Sequence, residues 1–197
     1  MNTEPTPPGD RPVVHLERPE DWEAWLERNH AASPGVWLRL GKKGSGLPSP
    51  SYDEALEAAL CWGWIDGQKR RWDERSWIQK FTPRGPRSTW SRVNTEKVGR
   101  LVESGRMRPP GLLAVERAKA DGRWDAAYDS PSRATVPDDL QAALDASPGA
   151  KAFFATLNGA NRYAVLWRVQ TARRPETRAK RIRELVGMLE RGEKLHP

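Results

Sequence analysis

A single cysteine, Cys61, only three histidines, and no apolar run near the ~18 residues of a bilayer span set the first limits on this 197-residue chain. One thiol forms no intrachain disulfide, and no CxxC pair or His/Cys cluster offers zinc a ligand set. The histidines His15, His30 and His196 are scattered among termini and expected loops, away from Cys61 in sequence, so no nucleophile and base pair is written into the chain. The loop Gly41 to Gly46 (GKKGSG) is basic and glycine-rich, yet it lacks the GxxxxGK[ST] spacing that cradles nucleotide phosphates. No metal and no cofactor is therefore expected, and the pattern argues against an enzyme. Met1 to Arg11 is polar and proline-rich without the apolar stretch of a signal peptide, which leads us to expect a reducing, cytoplasmic setting.

What is present is tryptophan and basic charge. Ten Trp residues supply large apolar surfaces, so a chain that is 37% hydrophobic and 30% charged still reads as folded. The formal net charge of +7 is unevenly spread: residues 69–108 carry 12 basic and 4 acidic side chains and residues 168–197 carry 9 and 4, whereas residues 1–68 carry 6 and 11. Two basic segments of this kind attract anions if they converge in space, although solvated helix faces are the commoner use of such residues.

Periodicity predicts a helix at Pro19 to Asn29, with Trp22, Trp25 and Leu26 on one side, and a strand at Val36 to Leu40. A second helix follows at Tyr52 to Leu60, behind a Ser51 cap. Extended chain is expected from Trp64, placing Trp64, Asp66 and Gln68 on one face, and again at Ser76 to Phe81, with Trp77 and Gln79 opposite Ile78 and Lys80. Thr82 to Ser88 is a basic, proline-broken loop. A helix over Ser91 to Ser104 buries Val98, Leu101 and Val102, and another runs from Pro109 or Pro110 to Ala120. After a polar connection, four helices are expected from Asp138, from Pro148, over Asn161 to Arg173, and from Pro175 to the turn before Gly192.

Two groups of residues are candidates for a site. Trp64, Asp66 and Gln68, ringed by Arg84, Trp90, Asn94 and Arg173, have the mix of apolar wall and few polar groups that a small-molecule pocket needs. Lys80, Arg84, Arg87, Trp90, Arg173 and Arg174 instead suit an anionic partner, with cations for phosphate and indole for unpaired bases. Arg174, Arg178 and Arg181 on the last helix would equally meet an acidic protein surface. The bland reading of Asp66 is a turn or ion-pair residue, and that of Cys61 a small buried hydrophobe.

The strings WLRLGKKGSG (37–46), EAALCWGWIDGQ (57–68), FTPRGPRSTWSRVN (81–94), AKADGRWDAAYD (118–129), NRYAVLWRVQTARRPETRAKRI (161–182) and MLERGEKLH (188–196) resemble the YdeI/OmpD-associated family. The resemblance runs from about residue 13 to the end, leaving residues 1–12 as a flexible polar extension. It implies a bacterial origin and a bacteriocin-protection label, which names no reaction and no catalytic residue.

The expected fold is α+β: one domain over residues 13–197, with a small Trp-rich antiparallel or mixed sheet packed with helices (13–130) and a helical carboxy-terminal lobe (131–197). Trp37, Trp62, Ile78, Leu101, Phe154, Leu166, Ile182 and Leu185 should be core. The expected function is a non-enzymatic stress or protection protein that binds an anionic ligand, single-stranded nucleic acid or an acidic protein surface being the candidates. The alternatives are a small-molecule binder or enzyme built around Trp64, Asp66 and Gln68, and a protein interaction module.

Overall fold

A computed structural model of the chain describes Gly9 and residues 11–197, so most of the amino-terminal extension lies outside the described residues. Two compact units emerge. The first runs to Ser88 and resumes over Asn94–Gly122; the second takes Thr89–Val93 and Arg123–Pro197. Among the described residues no helix is long and apolar enough to cross a membrane.

The first unit is built on a mixed sheet of four strands, β1 (Val13–His15), β2 (Val36–Gly41), β3 (Trp64–Arg71) and β4 (Ser76–Pro83), in the order β1-β2-β4-β3. The class is α+β, as expected from sequence. Strand β1 runs parallel to β2, and the other neighbours are antiparallel. Three residues give β1 no periodicity of its own to read, which is why the sequence reading placed no strand there.

Alternation sorts the sheet into two faces. Val36, Leu38 and Leu40 lie opposite Phe81, Gln79 and Trp77 on one face, with Trp37 and Arg39 opposite Lys80 and Ile78 on the other. Helix α1 (Pro19–Asn29) covers the first face: its Trp22 ring lies 5.3 Å from Phe81 and its Trp25 ring meets the Trp64 edge at 5.8 Å. Helix α2 (Tyr52–Cys61) starts at a complete capping box, in which Ser51 Oγ accepts from the Glu54 backbone N–H and the Glu54 carboxylate accepts from the Ser51 N–H. The Ser51 N–H on the carboxylate, aided by the Ser51 hydroxyl, holds the Glu54 carboxyl below its ordinary range. Trp22 Nε1 donates to the Ala55 carbonyl at 3.0 Å, which fixes α1 against α2.

Helices α3 (Arg92–Glu103) and α4 (Pro109–Ala120) follow. The buried positions of α3 are Asn94, Val98 and Leu101, and Val102 is exposed, contrary to the sequence reading. The i, i+4, i+7 stripe was filled by a polar residue at its first position, so counting apolar side chains alone rotated the face. Gly105 takes φ +67 after α3, and Arg106 N–H returns to the Leu101 carbonyl, a Schellman ending. Gly111 lets α4 touch the end of α2: a Cβ there would meet the Cys61 carbonyl, and it would lie 2.8 Å from Leu60 O.

The second unit holds α5 (Asp138–Asp145), α6 (Pro148–Thr156), α7 (Gly159–Gln170) and α8 (Pro175–Glu190) around Leu140, Leu144, Phe154, Leu166, Ile182 and Leu185. Helix α7 begins and ends earlier than periodicity suggested, because Asn158 Oδ1 accepts from the Asn161 N–H at its start and Thr171 closes it. The Glu190 carboxylate accepts from the Ala150 N–H at 2.9 Å and from Ser147 Oγ, supplying α6 with the cap its own Ser147 does not make. All eight residues expected as core are buried.

Candidate functional site

Strand β3 is an edge strand, and its pairing with β4 contains the feature that decides what it presents. Asp66 lies opposite Phe81 while Lys69 lies opposite Gln79, so three steps along β3 match two along β4. This is a β-bulge at Gly67 and Gln68, the pair facing Lys80. The Gln79 side chain, buried in the sheet, holds it: Nε2 donates to the carbonyls of Gly67 (2.9 Å) and Gln68 (3.2 Å).

Past the bulge the alternation is shifted by one. Trp64 and Asp66 share the face of Phe81, but Lys69 and Arg71, rather than Gln68, follow them onto the face of Gln79 and Trp77. Arg71 stands directly opposite Trp77. On the other face, Arg70 and Lys80 bring their cations 5.7 and 6.0 Å from the centre of the Trp37 ring.

The result is a cleft of about 500 Å³ lined by Lys42, Lys69, Arg70, Arg71 and Trp77. The Tyr52 ring stands 6.1 Å from Trp77, and its hydroxyl donates to Asp66 Oδ2 at 2.7 Å. Lys42 Nζ donates to the Asp73 and Glu74 carbonyls, tying the GKKGSG loop to the β3–β4 turn. That turn is organised by Asp73, whose Oδ1 accepts from the N–H groups of Arg75 and Ser76 and from Ser76 Oγ, while Oδ2 pairs with Arg39 at 2.6 Å. Partial burial pushes the Asp73 carboxyl up, and the Ser76, Arg75 and Arg39 contacts outweigh it, leaving the group below its ordinary value. Lys69 and Arg71 make no ion pair among the described residues, so their charge is directed at the cleft and at solvent. Cations on an edge strand also discourage strand-on-strand association, a role that needs no ligand.

The sequence candidates are distributed differently. Trp64 is 1% exposed, and its Nε1 donates to the His30 carbonyl at 3.2 Å, which makes it part of the wall under α1. Asp66 is half-buried and engaged by Tyr52. Gln68 is exposed on the bulge, off the face it was expected to share with Trp64 and Asp66. Lys80 lies on the opposite face from Asp66, over Trp37. Arg84 is half-buried, with its backbone N–H on the Gly63 carbonyl, and Arg87 is exposed in the following turn. Asn94 is buried in α3. These belong to the first unit, whereas Trp90, Arg173 and Arg174 belong to the second. Trp90 is buried with its ring 4.9 Å from Trp124, and Arg173 and Arg174 are exposed before α8.

Arg178 and Arg181 are committed within their unit. Arg178 makes a two-point pair with Asp139 (2.6 and 2.8 Å) and donates to the Val169 carbonyl, and Arg181 donates to the Arg168 carbonyl at the end of α7. The Arg178 hydrogen bonds hold the Asp139 carboxyl below its ordinary range. Cys61 is buried and its thiol is pushed up to about 11, chiefly by desolvation. Among the described residues, no group of three or more His, Cys, Asp or Glu could hold a metal ion.

Lys69, Arg71, Tyr52 and Trp77 were not singled out as site residues from sequence. The signal was present as the basic run at 69–71, but only the bulge says which of its members share a face with Trp77.

Residues 14–114, more than half of the chain, match the family model described as Domain of unknown function (DUF8412). The chain belongs to that family. Residues 133–192 match a second model, Bacteriocin-protection, YdeI or OmpD-Associated, so the resemblance seen in sequence holds for the helical second unit and for less of the chain than residue 13 onward. The strings at 37–46, 57–68 and 81–94, and with them the basic cleft, lie within the DUF8412 match; the string at 161–182 lies within the YdeI/OmpD-associated match. No curated protein and no solved structure matches the chain.

Proposed function

We propose that this member of the DUF8412 family is a non-enzymatic bacterial protection protein, acting in the cytoplasm, that binds single-stranded nucleic acid through the cleft between Lys69, Arg71 and Trp77. One observation carries the reading: the bulge places two cations with no ion-pair partner among the described residues on the face of a half-buried indole. Cations on one edge and an aromatic surface between them are what an unpaired strand requires, because phosphate is held by charge and each base offers a π face for stacking. The YdeI/OmpD-associated match supports the protective setting and assigns no ligand.

A second reading is a small phosphorylated ligand. The cleft's volume of about 500 Å³ suits a single small molecule, with the cations of Lys42, Lys69 and Arg71 for its phosphate and the Trp77 indole for an apolar part. An acidic protein partner on α8 has less support, since Arg178 and Arg181 are spent on contacts within their unit.

Fluorescence anisotropy with a labelled oligothymidine longer than the ~4–16 nucleotides that one single-strand-binding domain of other proteins covers separates these readings. The proposal expects saturable binding whose log affinity falls linearly with log salt. Absence of binding at low salt would remove the nucleic-acid reading, and a nucleoside diphosphate that binds as tightly as the strand would favour the small ligand.

A further inference from the structure

Helix α7 has two apolar stripes, and the core of the second unit uses one. Val165, Leu166 and Val169 point into it. Ala160, Tyr163, Ala164 and Trp167 form the other at i, i+3, i+4, i+7 spacing and line a groove of about 610 Å³, with Tyr128 as a further wall. Its relief is particular: two alanines make the floor low, and aromatic rings rise beside them. The Tyr128 and Trp167 rings meet edge to face at 6.2 Å, and the Tyr163 hydroxyl is anchored on the Asp129 carbonyl at 2.9 Å, which fixes the rings as walls. Desolvation, with Tyr128 and Asp129 nearby, pushes the Tyr163 hydroxyl up to about 12, so it stays neutral.

Two groups at the groove have nothing to bind among the described residues. Trp167 is 38% exposed, and its indole N–H makes no hydrogen bond. The Arg168 guanidinium, also lining the groove, makes no ion pair. An amphipathic helix would fill a smooth apolar trough and leave the indole N–H without an acceptor. A polyproline II segment fits better: its rings sit between aromatic walls, its carbonyls are fully available because it makes no internal hydrogen bonds, and its rigidity lowers the entropy lost on docking. Charge complementarity adds an acidic residue beside the prolines, for Arg168.

We infer that the α7 groove is a docking site for a proline-rich, acidic segment of a partner protein in polyproline II conformation, with Trp167 as the stacking and donor residue and Arg168 as the reader of the flanking acid. The inference is independent of the nucleic-acid reading, which rests on the first unit.

The test uses the full chain and a fluorescein-labelled peptide of consecutive prolines flanked by glutamates, followed by anisotropy. Saturable binding is expected, with affinity at least tenfold lower in Trp167→Ala and unchanged in Lys69→Ala. Arg168→Glu should weaken the glutamate-flanked peptide several-fold and strengthen a lysine-flanked one. Trp167 lies outside the buried core of its unit, so Trp167→Ala should fold, and circular dichroism checks that. The inference is overturned if the wild type fails to bind the peptide at millimolar concentration, if Trp167→Ala binds as the wild type does, or if a peptide with alanine for proline and the same charge binds equally. Displacement of the peptide by oligothymidine in the Lys69→Ala protein would also overturn it, since the groove would then belong to the nucleic-acid surface.

Discussion

Gln79 holds Gly67 and Gln68 out of register: one buried side-chain amide donates to both carbonyls of the bulge and so determines that Lys69, the next residue, faces it across the strands. A single polar residue in the sheet core thereby sets the chemistry of the surface beyond it.

Gln79→Leu should consequently act on two properties at once. Taking the shared donor from two partly buried carbonyls should cost about 0.5–1.5 kcal/mol, seen as a lower midpoint in urea unfolding. If the bulge relaxes, Lys69 and Arg71 move off the face of Trp77 and affinity for oligothymidine falls in a protein that still folds. Retained affinity with the stability loss would separate the bulge from binding.

The cations and the indole should differ in how salt affects their loss. Lys69→Ala and Arg71→Ala should each flatten the plot of log affinity against log salt, by about 0.7 for each single-strand phosphate contact removed. Trp77→Leu should lower affinity at every salt concentration and leave the slope unchanged, because stacking releases no counterions. Equal slopes in all three variants would mean that Lys69 and Arg71 serve only to protect the strand edge.

Much of this fold was legible because local punctuation agreed with periodicity. Pro19, Pro109, Pro148 and Pro175 open four helices at their first turns, Ser51 with Glu54 opens a fifth, and Gly105 and Gly192 follow helix ends with positive φ. What sequence could not show depends on contacts distant along the chain. Strand β1 exists only as a parallel partner of β2, the capping of α6 comes from Glu190, and Asn94 replaces an apolar residue on the buried stripe of α3. The site was legible as ingredients and not as an arrangement. Trp64 looked available beside Asp66 until α1 covered it, and which members of the run from Lys69 to Arg71 share the face of Trp77 depends on the bulge that Gln79 holds.

Two glycines give opposite expectations for the same substitution. Gly111→Ala drives a Cβ into the carbonyls that end α2, where backbone cannot yield, and should destabilise by about 1–3 kcal/mol or more. Gly99, in the exposed part of α3, has nothing within 4 Å of an added Cβ, and Gly99→Ala should stabilise by about 0.5–1 kcal/mol through helix propensity. Thermal or urea unfolding of both variants checks the sign.

The Cys61 thiol should be silent in the native protein. Burial and a value of about 11 leave little thiolate at pH 8, so modification by an aromatic disulfide reagent should wait on local opening and accelerate in urea. Rapid labelling of the folded chain would show that α2 frays at its end. Cys61→Ser should alter stability modestly, and complete loss of oligothymidine binding in a folded Cys61→Ser protein would overturn the reading of a packed, inert thiol.

Acid should act on the β3–β4 turn through Asp73. Its carboxyl lies below the ordinary value in the folded protein, so the stability it contributes is fully present above the unfolded value near ~4 and is lost as pH falls through the lower, folded value. Asp73→Asn cannot pair with Arg39 as an anion, so the wild type should exceed it in stability at pH 7, and the gap should close as the pH is lowered below about 4. Since Asp73 also shapes the turn to which Lys42 is tied, the variant should bind oligothymidine more weakly at neutral pH while keeping the cations of the cleft. Urea unfolding of the two proteins between pH 7 and pH 3 decides it. A gap that stays constant over that range would show that the turn is held by the Ser76 and Arg75 hydrogen bonds in a form that Asn reproduces, and that the charge of Asp73 contributes nothing.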